Sequence, residues 1–302
     1  MMSSRIALFL IDSGDYQGLL WSDGLRAATR HGFPVITFWA ENDSRRQIKQ
    51  IQSCLNEPEV SRSTVFLVCP VREVALIQMA YQAASLGIGW VQLLRWSDYL
   101  RALRHEFPRL PIFSVMADQL ALGAIQGRQL RARVPDGGIV VYVRGPIGTS
   151  SAMRWFSGLE QDLGQASVDL VTLTADWSAA GGASAMRDWL RTFDGRELPR
   201  FVVGAQNDAM AMGARRALEQ FAQEHPSASA AAIAVCGSDG TPTYGQRLVT
   251  EGKLASTVIV PPATGRALDE IASMNRGGSP PPEQVLLEPR SFPDLSVLEE
   301  RR

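Results

Sequence analysis

A chain of 302 residues is long enough for two domains of ordinary size, and 45% hydrophobic with 20% charged residues describes a globular protein, neither disordered nor membrane-embedded. Lys plus Arg number 30 against 31 Asp plus Glu, so there is no basic surplus to neutralise many phosphates, and nucleic acid is not expected as a direct partner. Cys54, Cys69 and Cys236 are far apart, odd in number and without a CxxC spacing, and only three histidines could share a metal with them, which argues against both a structural zinc and a disulfide scaffold.

The opening residues "MMSSRIALFLIDSGDY" pass straight into a strand-like run ending at Asp12. An export leader would follow its positive charge and apolar run with a small-residue cleavage site, whereas this run reads as a strand and is too short to span a bilayer. The expectation is a cytosolic chain, or a periplasmic one from which a leader was removed.

Apolar runs of strand length then alternate with helix-length segments: "RIALFLI" and 18–31, "PVITFWA" and 43–56, "TVFLVCP" and 72–86, then "GIGWVQLL". The order starts again with "PIFSV" and 118–131, "GGIVVYVRG" and 150–164, "VDLVTLTA" and 180–193, "RFVVGAQ" and 208–224, and "AAIAVCGSD" and 243–252. Strands that are apolar throughout, alternating with helices, predict parallel sheets covered on both faces. Large twisted sheets tend to split, so the count predicts two α/β lobes of about four to six strands each. No segment between them is Pro- or Gly-rich enough to be a free linker, and "NRGGSPPPEQ" near 275–284 is expected to be a surface loop.

Ligands bind beyond the carboxyl ends of parallel strands, where the next helices present their N-termini. Asn207 and Asp208 stand at such a place. One reading makes Asn207 the N-cap and Asp208 a first-turn acid favoured by the helix dipole. The other makes Asn207 a ligand group, because further strand ends repeat the theme: Asp239 in "CGSDGTP", Gly145, Gly148, Thr149 and Ser150 in "VRGPIGTSSAMRW", and Asp176 and Trp177 in "LTADW". Carboxylate, amide and aromatic together suit a sugar, whose hydroxyls need donors and acceptors and whose apolar ring face stacks on indole.

Two stretches, "AQNDAMAMGARRAL" and "GSDGTPTYGQRLVTEGKLASTV", with weaker echoes in "MADQLALGAIQGRQL", "GPIGTSSAMRWFSGL" and "ADWSAAGGASAMRDWL", resemble the type I periplasmic sugar-binding proteins and the sensing domains of lac-repressor-type regulators. The resemblance covers roughly 112–260. It implies two Rossmann-like lobes with parallel sheets, joined by three crossovers near 112–118, 237–240 and 257–262, which close by a hinge motion on a ligand held between them. The implied division is 1–115 plus 239–259 for one lobe and 116–238 plus 260–302 for the other. The implied ligand residues are Asn207 and Asp239 on sugar hydroxyls, Trp177 as the stacking aromatic and Arg95 after the fourth strand. Asp15, Tyr16 and Trp155, placed in strand-to-helix turns, complete the expected set.

Departures from the family pattern are also specific. The family's Asp-Arg is here Leu94-Arg95, its A-R-x-R is Ala152-Met153-Arg154-Trp155, its hinge glutamine is Val260, an asparagine of the third strand end is Cys69, and its Asn-Pro-Phe-Phe is replaced around Asp15-Tyr16-Gln17. The expected pocket is therefore less polar than a pentose site. A charged hydrogen bond is worth about 1.5–3 kcal/mol, so several losses could abolish ribose affinity.

His31, His105 and His225 lie near expected helix ends and read as solvated or capping groups. Trp39, Trp90 and Trp96 read as packing residues, and Arg95 is equally consistent with a surface arginine. "GSDGT" is similar to an aspartate-nucleophile phosphatase motif, but Gly237 occupies the nucleophile's position. "GPIGTSS" lacks the G-K-[ST] ending of a phosphate loop, and no G-x-G-x-x-G follows an early strand, so neither ATP nor NAD is implied. The sequence thus predicts a non-enzymatic, cofactor-free binding protein for a small sugar-like ligand, partnered by an ABC permease or, as a cytosolic sensor, by a regulatory protein.

Overall fold

The computed structural model describes residues 4–57, 64–164, 167–193, 197–225 and 232–300. In chain order the elements are β1 (Arg5–Leu10), α1 (Asp15–His31), β2 (Val35–Trp39), α2 (Ser44–Leu55), β3 (Thr64–Val68), a 3-10 turn at Glu73–Leu76, α3 (Ile77–Ser85), β4 (Gly89–Leu93), α4 (Tyr99–Glu106) and β5 (Ile112–Ala117). They continue with α5 (Gln119–Arg131), β6 (Gly138–Arg144), α6 (Ser150–Leu163), β7 (Val168–Thr174), α7 (Ala179–Leu190), a 3-10 turn at Arg191–Phe193, β8 (Phe201–Ala205) and α8 (Asp208–Glu224). The last are β9 (Val235–Cys236), α9 (Gly245–Thr250), β10 (Thr257–Ile259), α10 (Thr264–Asn275), β11 (Gln284–Leu287), β12 (Arg290–Phe292) and α11 (Leu295–Glu300).

The chain divides into one unit of Met1–Ala117 with Pro261–Leu287 and another of Asp118–Val260 with Glu288–Arg302. The first contains a six-stranded sheet in the order β11-β5-β4-β3-β1-β2, every neighbouring pair parallel. The second contains a four-stranded parallel sheet, β7-β6-β8-β9, and a small antiparallel pair, β10-β12. Both strand counts meet the expectation of four to six.

The apolar runs form central strands because each face has a helical layer to bury against. In β1, Ile6, Leu8 and Leu10 pack with Leu20 of α1 and Ala267, Leu268 and Ile271 of α10, whereas Ala7 and Phe9 pack with Ile51 of α2 and Ala80 and Ala83 of α3. The same alternation in β6 sends Val141 and Val143 toward Met210 and Ala214 of α8, and Val140 and Tyr142 toward Leu130 of α5 and Leu159 of α6. Each such large side chain contributes about 1.5–3 kcal/mol of burial. Helices α5 and α6 meet backbone to backbone, since a Cβ on Gly123 would overlap the carbonyl oxygen of Trp155 and the amide of Leu159.

The division of the chain corrects the expected one. Segment 239–259 belongs to the second unit, because β9 pairs with β8, the Gly237 amide donates to Ser256 O at 2.9 Å, and β10 pairs with β12. Segment 261–287 belongs to the first, because α10 packs on β1 and β11 extends the sheet beside β5. The chain changes unit after Ala117, Val260 and Leu287, so the crossing expected at 237–240 instead falls at 287–288.

Other elements differ in length. The helix expected over 72–86 splits into the 3-10 turn and α3, the long strand expected at 231–239 shrinks to β9, with residue 231 outside the described residues, and α4, α10 and α11 were not foreseen. The loop at 275–284 does lie between α10 and β11, within the first unit. No described helix is long and apolar enough to cross a membrane.

Candidate functional site

All strands of each main sheet are parallel, so the loops after their carboxyl ends share one edge of that sheet. In the second unit these loops carry Gly145–Thr149 after β6, Asp176–Ser178 after β7, Gln206–Asn207 after β8 and Ser238–Thr241 after β9.

Asn207 is the N-cap of α8: its Oδ1 accepts the Met210 amide at 2.7 Å. Its Nδ2 also donates to the carbonyl oxygen of Trp177 at 2.9 Å, joining the ends of β8 and β7. The Trp177 indole reaches across to the end of β6, where a Cβ on Gly145 would overlap its Cζ2, Cε2 and Cη2 atoms. Next to Asn207, the fully buried Asp208 accepts from the Gly240 amide at 3.0 Å and from Thr257 Oγ1 at 2.8 Å, which fixes the loop bearing Asp239. Asn207 is therefore bonded to the backbone of Trp177, and its neighbour Asp208 to the loop that carries Asp239.

Two of these residues have uncommon backbones. Trp177 has φ 70° and Asp239 φ 89°, a region that L residues seldom adopt and that costs on the order of 1–3 kcal/mol. Leu94, at the end of β4 in the first unit, has φ 70°. Strain of this kind persists where surrounding structure imposes it, and it gathers at sites of function.

Asp176 does not project freely. Its Oδ1 accepts from Ser178 Oγ at 2.6 Å and from the Ser178 amide at 3.0 Å, which holds its carboxyl below the usual carboxylate range. Trp155 corrects the expectation of a turn residue. It lies inside α6, is 6% exposed, and its Nε1 donor has no acceptor among the described residues.

In the first unit Asp15 and Tyr16 open α1, Asp15 exposed and the Tyr16 hydroxyl donating to Pro261 O at 3.2 Å. Arg95 follows Leu94 and is not a surface arginine: its side chain is 14% exposed and Nη1 stands 3.5 Å from Glu73 Oε1. Ser97 Oγ donates to the other oxygen of Glu73 at 3.1 Å. Cys69, fully buried at the end of β3, has its thiol pushed up to about 12 by burial, against the pull of Arg95, and so remains a neutral thiol.

Sequence reasoning missed a set of buried glutamines that brace these loops. Gln17 accepts from the Ile11 amide, Gln47 donates to Cys69 O and accepts from the Val71 amide, and Gln92 donates to Arg95 O. In the second unit Gln126 donates to Ala205 O and Gly237 O while accepting from the Tyr142 hydroxyl, and Gln206 accepts from the Gly145 amide. The side-chain amide suits this task because one end donates and the other accepts, satisfying loop groups that a sheet ladder cannot reach. Only the position of each glutamine within an apolar helix face or at a strand end hints at it. Glu73, inside the expected helix 72–86, gave no signal at all.

The family described as periplasmic binding protein domain matches residues 6–272 of this chain. The ribose import binding protein of Escherichia coli is 25% identical over 234 residues, covering 77% of this chain and 71% of that protein. A xylitol-binding protein of Mycolicibacterium smegmatis is 29% identical over 204 residues, 67% of this chain and 52% of its own length. Among solved structures, an ABC transporter periplasmic solute-binding protein from Actinobacillus succinogenes with bound D-allose aligns with a TM-score of 0.82 at 19% identity, over 99% of this chain and 100% of that one.

Proposed function

Because the chain belongs to the periplasmic binding protein domain family, we propose that it is a non-enzymatic solute-binding protein for a small carbohydrate or sugar-like molecule, the receptor component of an ABC-type sugar transport system. Its partners are then the ligand and an ABC permease. The observation that carries this reading is the assembly of Asn207, Trp177 and Asp239 at one sheet edge, two of them with imposed positive φ. An indole face for the apolar side of a sugar ring, with a carboxylate and an amide for its hydroxyls, is the chemistry a polyol requires.

The proposed ligand groups of the second unit are Asp239 and Asn207 as hydroxyl partners and Trp177 as the stacking surface; those proposed for the first unit, taken by itself, are Arg95, Asp15 and Tyr16. Trp155 stays in the set because its buried indole N–H needs an acceptor, which a ligand oxygen would supply. The pairing of Arg95 with Glu73 offsets its positive charge and so favours an uncharged ligand over an anion. Names of the relatives support the class: one imports ribose, one binds xylitol and one was solved with D-allose.

A thermal-shift screen against D-ribose, D-allose, xylitol, other neutral sugars and anionic sugar phosphates tests the reading. At 100 times its dissociation constant a bound ligand adds about 2.7 kcal/mol to stability. A neutral sugar or polyol should produce that shift, and no shift from any neutral sugar or polyol would refute the function.

A further inference from the structure

Trp177 is held from two sides by the end of a single strand, β8. Asn207 Nδ2 donates to the Trp177 carbonyl oxygen at 2.9 Å, fixing the backbone that carries the ring. The residue before it, Gln206, is fully buried: its Oε1 accepts the Gly145 amide at 2.8 Å and its Nε2 donates to Ala152 O at 3.0 Å. Gly145 is the surface on which the indole lies, and any side chain there would occupy the space of the six-membered ring. The Gln206 amide itself donates to Val143 O at 3.0 Å, and the Ala175 amide donates to Arg144 O at 2.9 Å, so the ends of β6, β7 and β8 are tied together around the ring.

From this the geometry points to Gly145 and Gln206 as positioning residues that set the orientation of the Trp177 indole before any ligand arrives. The inference deepens the proposed function and rests on it where affinity is concerned. Gly145 is required here for close approach rather than for backbone freedom, since its φ is not positive whereas that of Gly148 is. One ring face rests on Gly145, and a ligand stacks on the opposite face. The order of the loop removes the entropic cost of arranging the ring at the moment of binding.

The test combines size complementation with a spectroscopic readout. Gly145→Ala should lower the thermal midpoint by about 5 °C or more, because the added methyl forces the ring or the loop to move. In the double variant Gly145→Ala/Trp177→Ala the smaller side chain vacates that space, and the midpoint should return to that of Trp177→Ala alone. Midpoint losses that simply add would overturn the contact. Gln206→Met frees the Gly145 amide without creating a collision. It should abolish the near-ultraviolet circular dichroism band assigned to Trp177 by difference from Trp177→Phe, and weaken binding of whichever of D-ribose, D-allose or xylitol the screen identifies by about tenfold. A purely packing role predicts an unchanged band and unchanged affinity, and that result would overturn the proposal. If none of the three sugars binds, the functional reading fails, while the midpoint cycle and the band still decide whether Gly145 and Gln206 orient the ring.

Discussion

Asn207 performs two structural tasks with one amide, and the two readings of it offered by the sequence are not exclusive. Capping α8 uses Oδ1 and bracing Trp177 uses one Nδ2 hydrogen, which leaves a second hydrogen and a lone pair for a ligand. Asn207→Ala removes the cap and the brace and should cost about 0.5–2 kcal/mol, read from denaturant unfolding. Asn207→Asp keeps the cap but sets a carboxylate oxygen against the Trp177 carbonyl oxygen, and so should recover only part of that stability. Asp176 gives a pH prediction. Its carboxyl titrates below the ordinary range in the folded state, chiefly because Ser178 donates to it, so the stabilisation is full above the unfolded value and is lost as pH falls through the folded one. Midpoints measured from pH 6 down to pH 2 should fall less steeply for Asp176→Asn than for the wild type below about pH 4. At this scale the strand-end polar residues were legible because a carboxylate or amide after an apolar run stands out. The buried glutamines were not, since Gln92 within β4 and Gln206 just after β8 read like any polar residue until the fold removes them from water.

Helices and strands obey the same division. Long apolar runs with covered faces, such as Arg5–Leu10 and Gly138–Arg144, were legible because burial on both faces demands continuous hydrophobicity. Elements stabilised by their neighbours rather than by their own pattern were not. β9 has two residues and owes its place to the ladder with β8, and α10 is recruited by α1, where Thr264 and Gly265 meet Gly24 and Asp23. The joint at β9 depends on Asp208. Asp208→Ala strips the acceptor from the Gly240 amide and from the Thr257 hydroxyl, both buried, and should cost about 2–6 kcal/mol in denaturant unfolding. Asp208→Asn keeps one acceptor and should cost less. The wrong placement of segments 239–259 and 261–287 has the same origin: a crossing is marked by which sheet the chain joins next, and the three-residue strands β10 and β12 beside these crossings carry too little pattern to say.

For the whole molecule, two parallel-sheet units were foreseen from the alternation of strands and helices, and the family match over 6–272 places the chain among periplasmic binding protein domains. The proposed ligand groups stand at the sheet edges. The first unit carries an arginine already balanced by Glu73, and the second carries an indole seated on Gly145, with Asn207 bonded to the carbonyl oxygen of Trp177. The most direct measurement is a calorimetric titration of the wild-type protein, Trp177→Ala and Asp239→Ala with the neutral sugar or polyol that gives the largest thermal shift. The account predicts saturable one-to-one binding to the wild type and a loss of about 100-fold or more in each variant, equivalent to roughly 2.7 kcal/mol. Wild-type affinity retained in both variants would contradict it.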